Sequence, residues 1–205
     1  MYLTKILLEL TNPVFRLALS DSQKLHIFVT KIFNSSRKDS EILFCKRTCG
    51  NMLELYMYSK KQVMQDRLLP GMTLVAQRKL TPWLDKMEVG QLFRLRIMTM
   101  PFKKIGCANC KNGRRHALRT IEERLSWLDR KARAAGFIIT NVIETPGDRI
   151  CASHSQESGG RLIMDSWCYT GLLQIVDAEA FRKTLCQGIG PGKAYGLGML
   201  VLSGE

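Results

Sequence analysis

The strongest constraint on the fold of this chain is that one order of apolar patterns runs along it twice. Residues 1–10 alternate as a strand, with Tyr2, Thr4, Ile6, Leu8 and Leu10 on one side and Leu3, Lys5, Leu7 and Glu9 on the other. After a loop at Asn12-Pro13, Ser20–Phe33 has the spacing of a helix. Ser20 or Asp21 is its N-cap, and Leu25, Phe28, Val29, Ile32 and Phe33 form one apolar stripe. Strands at 41–48 and 52–59 meet at Gly50-Asn51, a pair suited to a tight hairpin. Residues 60–71 are weakly helical, and Thr73–Leu80 is a further strand. The order then returns more loosely. Leu92–Met98 is a strand, followed by a loop with Gly106 and Gly113. Thr120 and Glu123 open a helix as a capping box, with Leu118, Ile121, Leu125, Leu128 and Ala132 on one side, and Gly136 closes it. Phe137–Glu144 is a strand, Ser153–Gly160 a polar loop and 161–176 a long strand. Asp177 caps a short helix to about Gln187, and Tyr195–Leu202 is the last strand. Two such cycles predict an α+β chain of tandem ferredoxin-like (RRM-like) βαββαβ domains, residues 1–88 and 89–205, joined near Asp85–Gly90.

Charge narrows the function. Lys and Arg number 31 against 18 Asp and Glu, a net +13. That balance suits a polyanion, nucleic acid before an anionic membrane surface, and exceeds what a small acidic metabolite needs. Between Val89 and Ile121 there are eight basic residues and no acid: Arg94, Arg96, Lys103, Lys104, Lys111, Arg114, Arg115 and Arg119. Alternation in Leu92–Met98 sets Phe93, Leu95 and Ile97 on one face and Arg94 and Arg96 on the other. With the basic, hairpin-like segment that follows, these arginines form a stripe able to track phosphates, and Arg161 adds a cation at the start of the long strand. No run of 18 apolar residues is present, so no transmembrane helix is expected. The opening residues lack a signal-peptide pattern, and seven unevenly spaced cysteines suit reduced thiols, so a cytoplasmic location is expected.

Three constellations are candidates for chemistry. Gly188-Ile-Gly-Pro-Gly-Lys-Ala-Tyr-Gly-Leu-Gly198 fails the P-loop pattern and follows a helix into a strand, the reverse of a dinucleotide site. It remains either a glycine-rich turn or a loop whose bare backbone at Gly190 and Gly192, with Lys193, approaches phosphates closely. His26 lies on the flank of the helix stripe, with Gln23 and Thr30 on its own side. There it is a surface or packing residue, or a group that exchanges protons near neutral pH. Cys107-Ala-Asn-Cys110 is half a zinc site. His116 is a possible third ligand, and Cys45, Cys49 or His154 a possible fourth, but the spacing does not mark them. No metal or other cofactor is expected.

Taken in order, these segments resemble the CasE endoribonucleases, which process CRISPR precursor RNA in type I-E systems and stay in the Cascade surveillance complex. The segments are Met1-Tyr-Leu-Thr4, Leu25-His26, Phe93-Arg-Leu-Arg96 with Pro101 and Lys103-Lys104, Gly113-Arg-Arg-His-Ala-Leu118, and Gly188 to Leu200. The resemblance implies two ferredoxin-like domains and puts His26 at the catalytic histidine's position. Family members usually carry a tyrosine three residues earlier, where this chain has Gln23. Lys31 matches a basic residue near the scissile phosphate, although it is turned by about 140° from His26 around the helix. The implied substrate is a repeat stem-loop, and the implied partners are other Cascade subunits, with neither membrane nor small-molecule cofactor. In such RNA cleavage the 2′-hydroxyl attacks the adjacent phosphate, leaving a 2′,3′-cyclic phosphate without a metal. His26 then serves as base towards the 2′-hydroxyl or as acid towards the 5′-oxygen. Two rivals stand beside this reading: a non-catalytic subunit that only caps a guide RNA hairpin, and a zinc-ribbon DNA-binding protein resting on Cys107 and Cys110.

Overall fold

The computed structural model describes residues 1–33, 41–107, 110–153 and 161–204, with backbone alone at 107, 110–114, 161 and 162. Its first sheet is antiparallel, in the order β2 (Leu43–Cys49), β3 (Met52–Ser59), β1 (Tyr2–Glu9) and β4 (Met72–Lys79). Ile6, Leu8, Leu53, Leu55 and Met57 point to one face of it. There they meet Phe15 of α1 (Pro13–Ser20) and Leu25, Val29 and Ile32 of α2 (Ser22–Ile32). Asn12-Pro13 opens a helix where a loop was expected. The Asn12 side chain accepts from the Val14 N–H at 2.9 Å, and Pro13 occupies the first turn, where its missing N–H costs nothing. The weakly helical stretch at 60–71 forms only a 3-10 turn, Gln65–Arg67.

The second sheet repeats the topology as β12 (Leu200–Ser203), β5 (Leu92–Thr99), β11 (Trp167–Ile175) and β8 (Phe137–Pro146). Helices α4 (Ile121–Ala134) and α5 (Ala178–Gln187) cover one face. Counting each sheet's own strands, both follow the order fourth, first, third, second, so the chain is a tandem ferredoxin-like α+β protein. Two hairpins are inserted into the second unit: β6 (Phe102–Cys107) with β7 (Cys110–Ala117), and β9 (Ile150–Ser153) with β10 (Arg161–Met164). The expected Gly106–Gly113 loop is thus a hairpin. The single strand expected over 161–176 is two, broken at Asp165-Ser166, where the buried Ser166 hydroxyl donates to the Asp148 carbonyl at 2.6 Å. Between the sheets, α3 (Thr81–Leu84) and its flanks sink Leu80, Leu84 and Met87 into the second core. Arg182 fastens them by donating to the carbonyls of Leu84 (2.9 Å) and Met87 (2.7 Å).

Helix α4 starts at the expected capping box, but Ile121 is 46% exposed and lies outside the core. Trp127 and the stem of Arg124 take the buried positions instead. The Arg124 guanidinium donates twice to Glu144, at 2.9 and 2.6 Å, and stacks 3.6 Å from the Trp167 ring centroid. Their side chains are 7% and 3% exposed. Removing one partner strands the other charge, whereas replacing both does not. Arg124→Met should therefore lower stability in urea unfolding by about 3–5 kcal/mol, and Arg124→Met with Glu144→Leu should recover most of it. A single variant as stable as the parent would contradict this.

Candidate nucleic-acid interface

Helix α2 is held between the two sheets at its first turn. Asp21 Oδ1 accepts from the N–H groups of Gln23 (2.7 Å) and Lys24 (3.4 Å), capping the helix. Its Oδ2 accepts from Ser153 Oγ–H (2.6 Å) and Ser153 N–H (3.1 Å) on β9 of the second unit. Burial pushes this carboxyl up, but the four donors together outweigh burial and hold it below the usual aspartate value. Two more links cross the junction. Lys46 pairs with Asp148 at 3.4 Å, and the Tyr58 hydroxyl donates to the Leu200 carbonyl at 3.1 Å. Helix α2 consequently packs on β9 and on a 3-10 turn, Lys193–Tyr195, inside the glycine-rich segment.

Leu25, Val29 and Ile32 turn into the first core, leaving Gln23, His26 and Thr30 half-buried along one edge of α2. His26 and Lys193, far apart in sequence, thus sit on elements packed together, and both residues are engaged in contacts. Lys31 is exposed in the last turn of α2, on another side from His26.

The glycine-rich segment does not enter β12 at Tyr195, as expected, because its backbone is left-handed at intervals as far as Gly198. At Gly198 (φ +80°) a Cβ would lie 2.3 Å from the Ile189 carbonyl oxygen. At Gly190 (φ +77°) it would lie 2.7 Å from Thr99 Oγ1 and 3.0 Å from the Trp127 ring. The fold itself therefore requires these glycines.

Lys104 and Arg115 face each other across β6 and β7, and the Arg115 guanidinium lies 5.2 Å from the centroid of the Phe102 ring. With Lys131 at the end of α4 and Lys193, they line a groove of about 470 Å³ walled by Gly188–Pro191 and Thr184. Among the described residues no acid lines it, so four cations share one concave surface. The sequence gives no sign of Lys131, which lies beyond the acid-free run. Lys103 points to the other face of the hairpin and pairs with Glu123 at 3.2 Å. Arg119 is exposed beside the capping box, its N–H donating to Glu123 at 3.1 Å. Arg94 and Arg96 are exposed on the open face of the second sheet, away from its helices. The single stripe expected along the basic segment is therefore two surfaces. The side chains of Lys111, Arg114 and Arg161 lie outside the described residues. So do those of Cys107 and Cys110, whose backbones pair near the hairpin tip. Burial pushes the Cys45 thiol up to about 12, against the opposing pull of Arg96, which leaves it an unreactive thiol.

The family model described as "CRISPR associated protein" matches residues 1–203. Among curated proteins, the CRISPR-associated endoribonuclease Cse3 of Thermus thermophilus is 31% identical over 128 residues. That match spans 58% of this chain and 59% of the relative, less than two thirds of its length. A solved structure of CRISPR endoribonuclease Cse3 bound to 19 nt RNA matches with a TM-score of 0.86 at 23% identity, over 99% of this chain and 100% of that one. A chain of a CRISPR RNA-guided surveillance complex, pre-nicking, matches with a TM-score of 0.77 at 27% identity, over 100% of both.

The groove has a direct test in salt-dependent binding of a nucleic-acid hairpin. Lys104→Ala with Arg115→Ala should weaken binding and make the slope of log K against log salt shallower, by up to about 1.8 on the duplex scale. An unchanged slope would remove the groove from the interface.

Proposed function

Because the chain belongs to the CRISPR-associated protein family whose model spans residues 1–203, we propose that it is a CRISPR endoribonuclease of the Cse3 type. It cuts precursor RNA at the base of a repeat stem-loop, keeps the 3′ stem-loop, and remains with it in a type I-E Cascade complex in the cytoplasm. The observation that carries the proposal is the four-cation groove, whose Lys193 belongs to the turn packed against the His26 helix. Residues 1–88 form the half with the catalytic histidine, and residues 89–205 the half that grips the stem.

The chemistry asks little of the protein beyond positioning and proton transfer. The RNA's own 2′-hydroxyl attacks the adjacent phosphate in line, leaving a 2′,3′-cyclic phosphate and a 5′-hydroxyl. His26 moves a proton at one of the two oxygens, taking it from the nucleophile or giving it to the leaving group. Lys193 and its neighbours offset the charge that builds on the phosphorane. Gln23, one turn before His26 on the same edge, has an amide that both donates and accepts, and so can orient the 2′-hydroxyl where relatives use tyrosine. Lys31 adds positive potential without sharing His26's side of the helix. Lys104, Arg115 and Lys131 hold phosphates of the stem, with Lys103, Lys111, Arg114, Arg119 and Arg161 adding to the field around it. Double-stranded RNA is recognised largely by shape and backbone, which suits a groove of cations and bare amides. Cutting at the base of the stem leaves those contacts intact, so the product stays bound.

The second reading, a cap that holds the guide RNA hairpin without cutting it, draws on the glutamine at position 23. One experiment separates the two. Purified protein mixed with its repeat RNA in EDTA should cut it, since the nucleophile is the RNA's own hydroxyl and no metal is needed. His26→Ala should slow cleavage by about 10²–10⁴-fold with affinity nearly unchanged. Tight binding without cleavage by the parent protein would favour the cap, and cleavage lost in EDTA and restored by Mg²⁺ would overturn the mechanism.

A further inference from the structure

The two basic surfaces lie on opposite sides of the second sheet. The groove of Lys104, Arg115, Lys131 and Lys193 adjoins its helices, whereas Arg94 and Arg96 rise from its uncovered face. On that face the registers set the side chains in two rows. Leu172, Arg94 and Ser203 stand abreast, and Thr170, Arg96 and Val201 stand abreast in the next. With Asn141, whose backbone is left-handed (φ 52°), they line a depression of about 570 Å³. No acidic side chain lines it among the described residues. Each row puts one guanidinium beside an aliphatic side chain and a hydroxyl. The rows are about 6.6 Å apart along the strand, comparable to the step between phosphates of an extended single strand. The depression runs along the sheet face, across both rows.

It also adjoins the turn on which α2 packs. Arg96 lines a small cleft with Tyr195 and Gly196, and Tyr195 ends the turn against which α2 packs. One end of that turn, Lys193, faces the helix-side groove, and the other faces the sheet.

We propose that the open face of the second sheet is a separate subsite for the single-stranded RNA upstream of the cut, with Arg94 and Arg96 on successive phosphates. The inference rests on the endoribonuclease reading, in which the stem occupies the groove and its base lies at α2. RNA leaving the base then has a positively charged path over this face. Leu172 and Val201 offer bases an apolar floor. Arginine contacts to phosphates carry no base information, so the subsite tolerates any sequence.

The test uses two RNAs, the repeat stem-loop alone and the same stem-loop with a 5′ single-stranded extension, bound to parent protein and to Arg94→Ala with Arg96→Ala. For the parent, the extension should steepen the salt slope by about 1.4, making affinity fall about sevenfold further between 50 and 200 mM salt. In the variant that increment should vanish, while the stem-loop alone binds as before. Equal weakening of both RNAs would assign the arginines to the stem and overturn the inference. Unchanged binding of the extended RNA would overturn it too, and hand this face to a protein partner. If the parent fails to bind the stem-loop, the function falls, and the inference with it.

Discussion

The side chain on which the site's geometry depends is the carboxylate of Asp21. One oxygen closes the N-terminus of α2, and the other is bound by Ser153 of the opposite unit, so a single residue fixes both the start of the helix and its place against the second sheet. Charge-assisted hydrogen bonds of this kind are short and directional, which matters more here than their contribution to stability. His26 is five residues further along α2, and rotation or translation at the cap is passed on to it through a rigid helix. The carboxyl's lowered value gives the sign of its pH dependence. Its contribution is complete above the ordinary aspartate range and is lost as pH falls through the lowered value, so the junction is fully formed at neutral pH.

The glycine-rich segment is the other half of the same construction. It must coil tightly enough to pass between Leu43 and Phe44 of the first unit and Thr99 and Trp127 of the second, and a Cβ at Gly188, Gly190 or Gly196 would crowd these neighbours. The result is a turn with one edge against α2 and faces open to two basic surfaces. What distinguishes the two surfaces is that, among the described residues, no acid lines either of them in a chain that carries 18. Elsewhere acids are absorbed by nearby cations, as in Lys103–Glu123 and the buried Arg124–Glu144 pair.

Much of this was legible in the sequence because it is local. The caps at Asp21, Thr120 and Asp177, the hairpin at Gly50-Asn51 and the stripe beside His26 depend on residues within a few positions of one another. The tandem fold followed from their order. Tertiary features escaped. Asn12-Pro13 has the look of a turn until Phe15 is seen in the core. Lys131 joins Lys104 and Arg115 only because α4 ends beside the hairpin, and Arg94 and Arg96 leave them only because a sheet has two faces. The Asp21–Ser153 bridge joins residues from different units, and no spacing rule announces it.

The central claim is that the junction between the units sets the position of the candidate catalytic helix, and a double-mutant cycle on the bridge tests it. Asp21→Asn keeps an N-cap of comparable quality while weakening the bond to Ser153, and Ser153→Ala removes the partner hydroxyl. The measurement is the single-turnover rate of repeat RNA cleavage, with affinity followed in parallel. Each variant should cut about tenfold more slowly at unchanged affinity, and the double variant well short of the product of the two losses, because both substitutions act on the same side-chain contact. Rates equal to the parent's, or losses that multiply in the double variant, would show that the bridge does not position the helix.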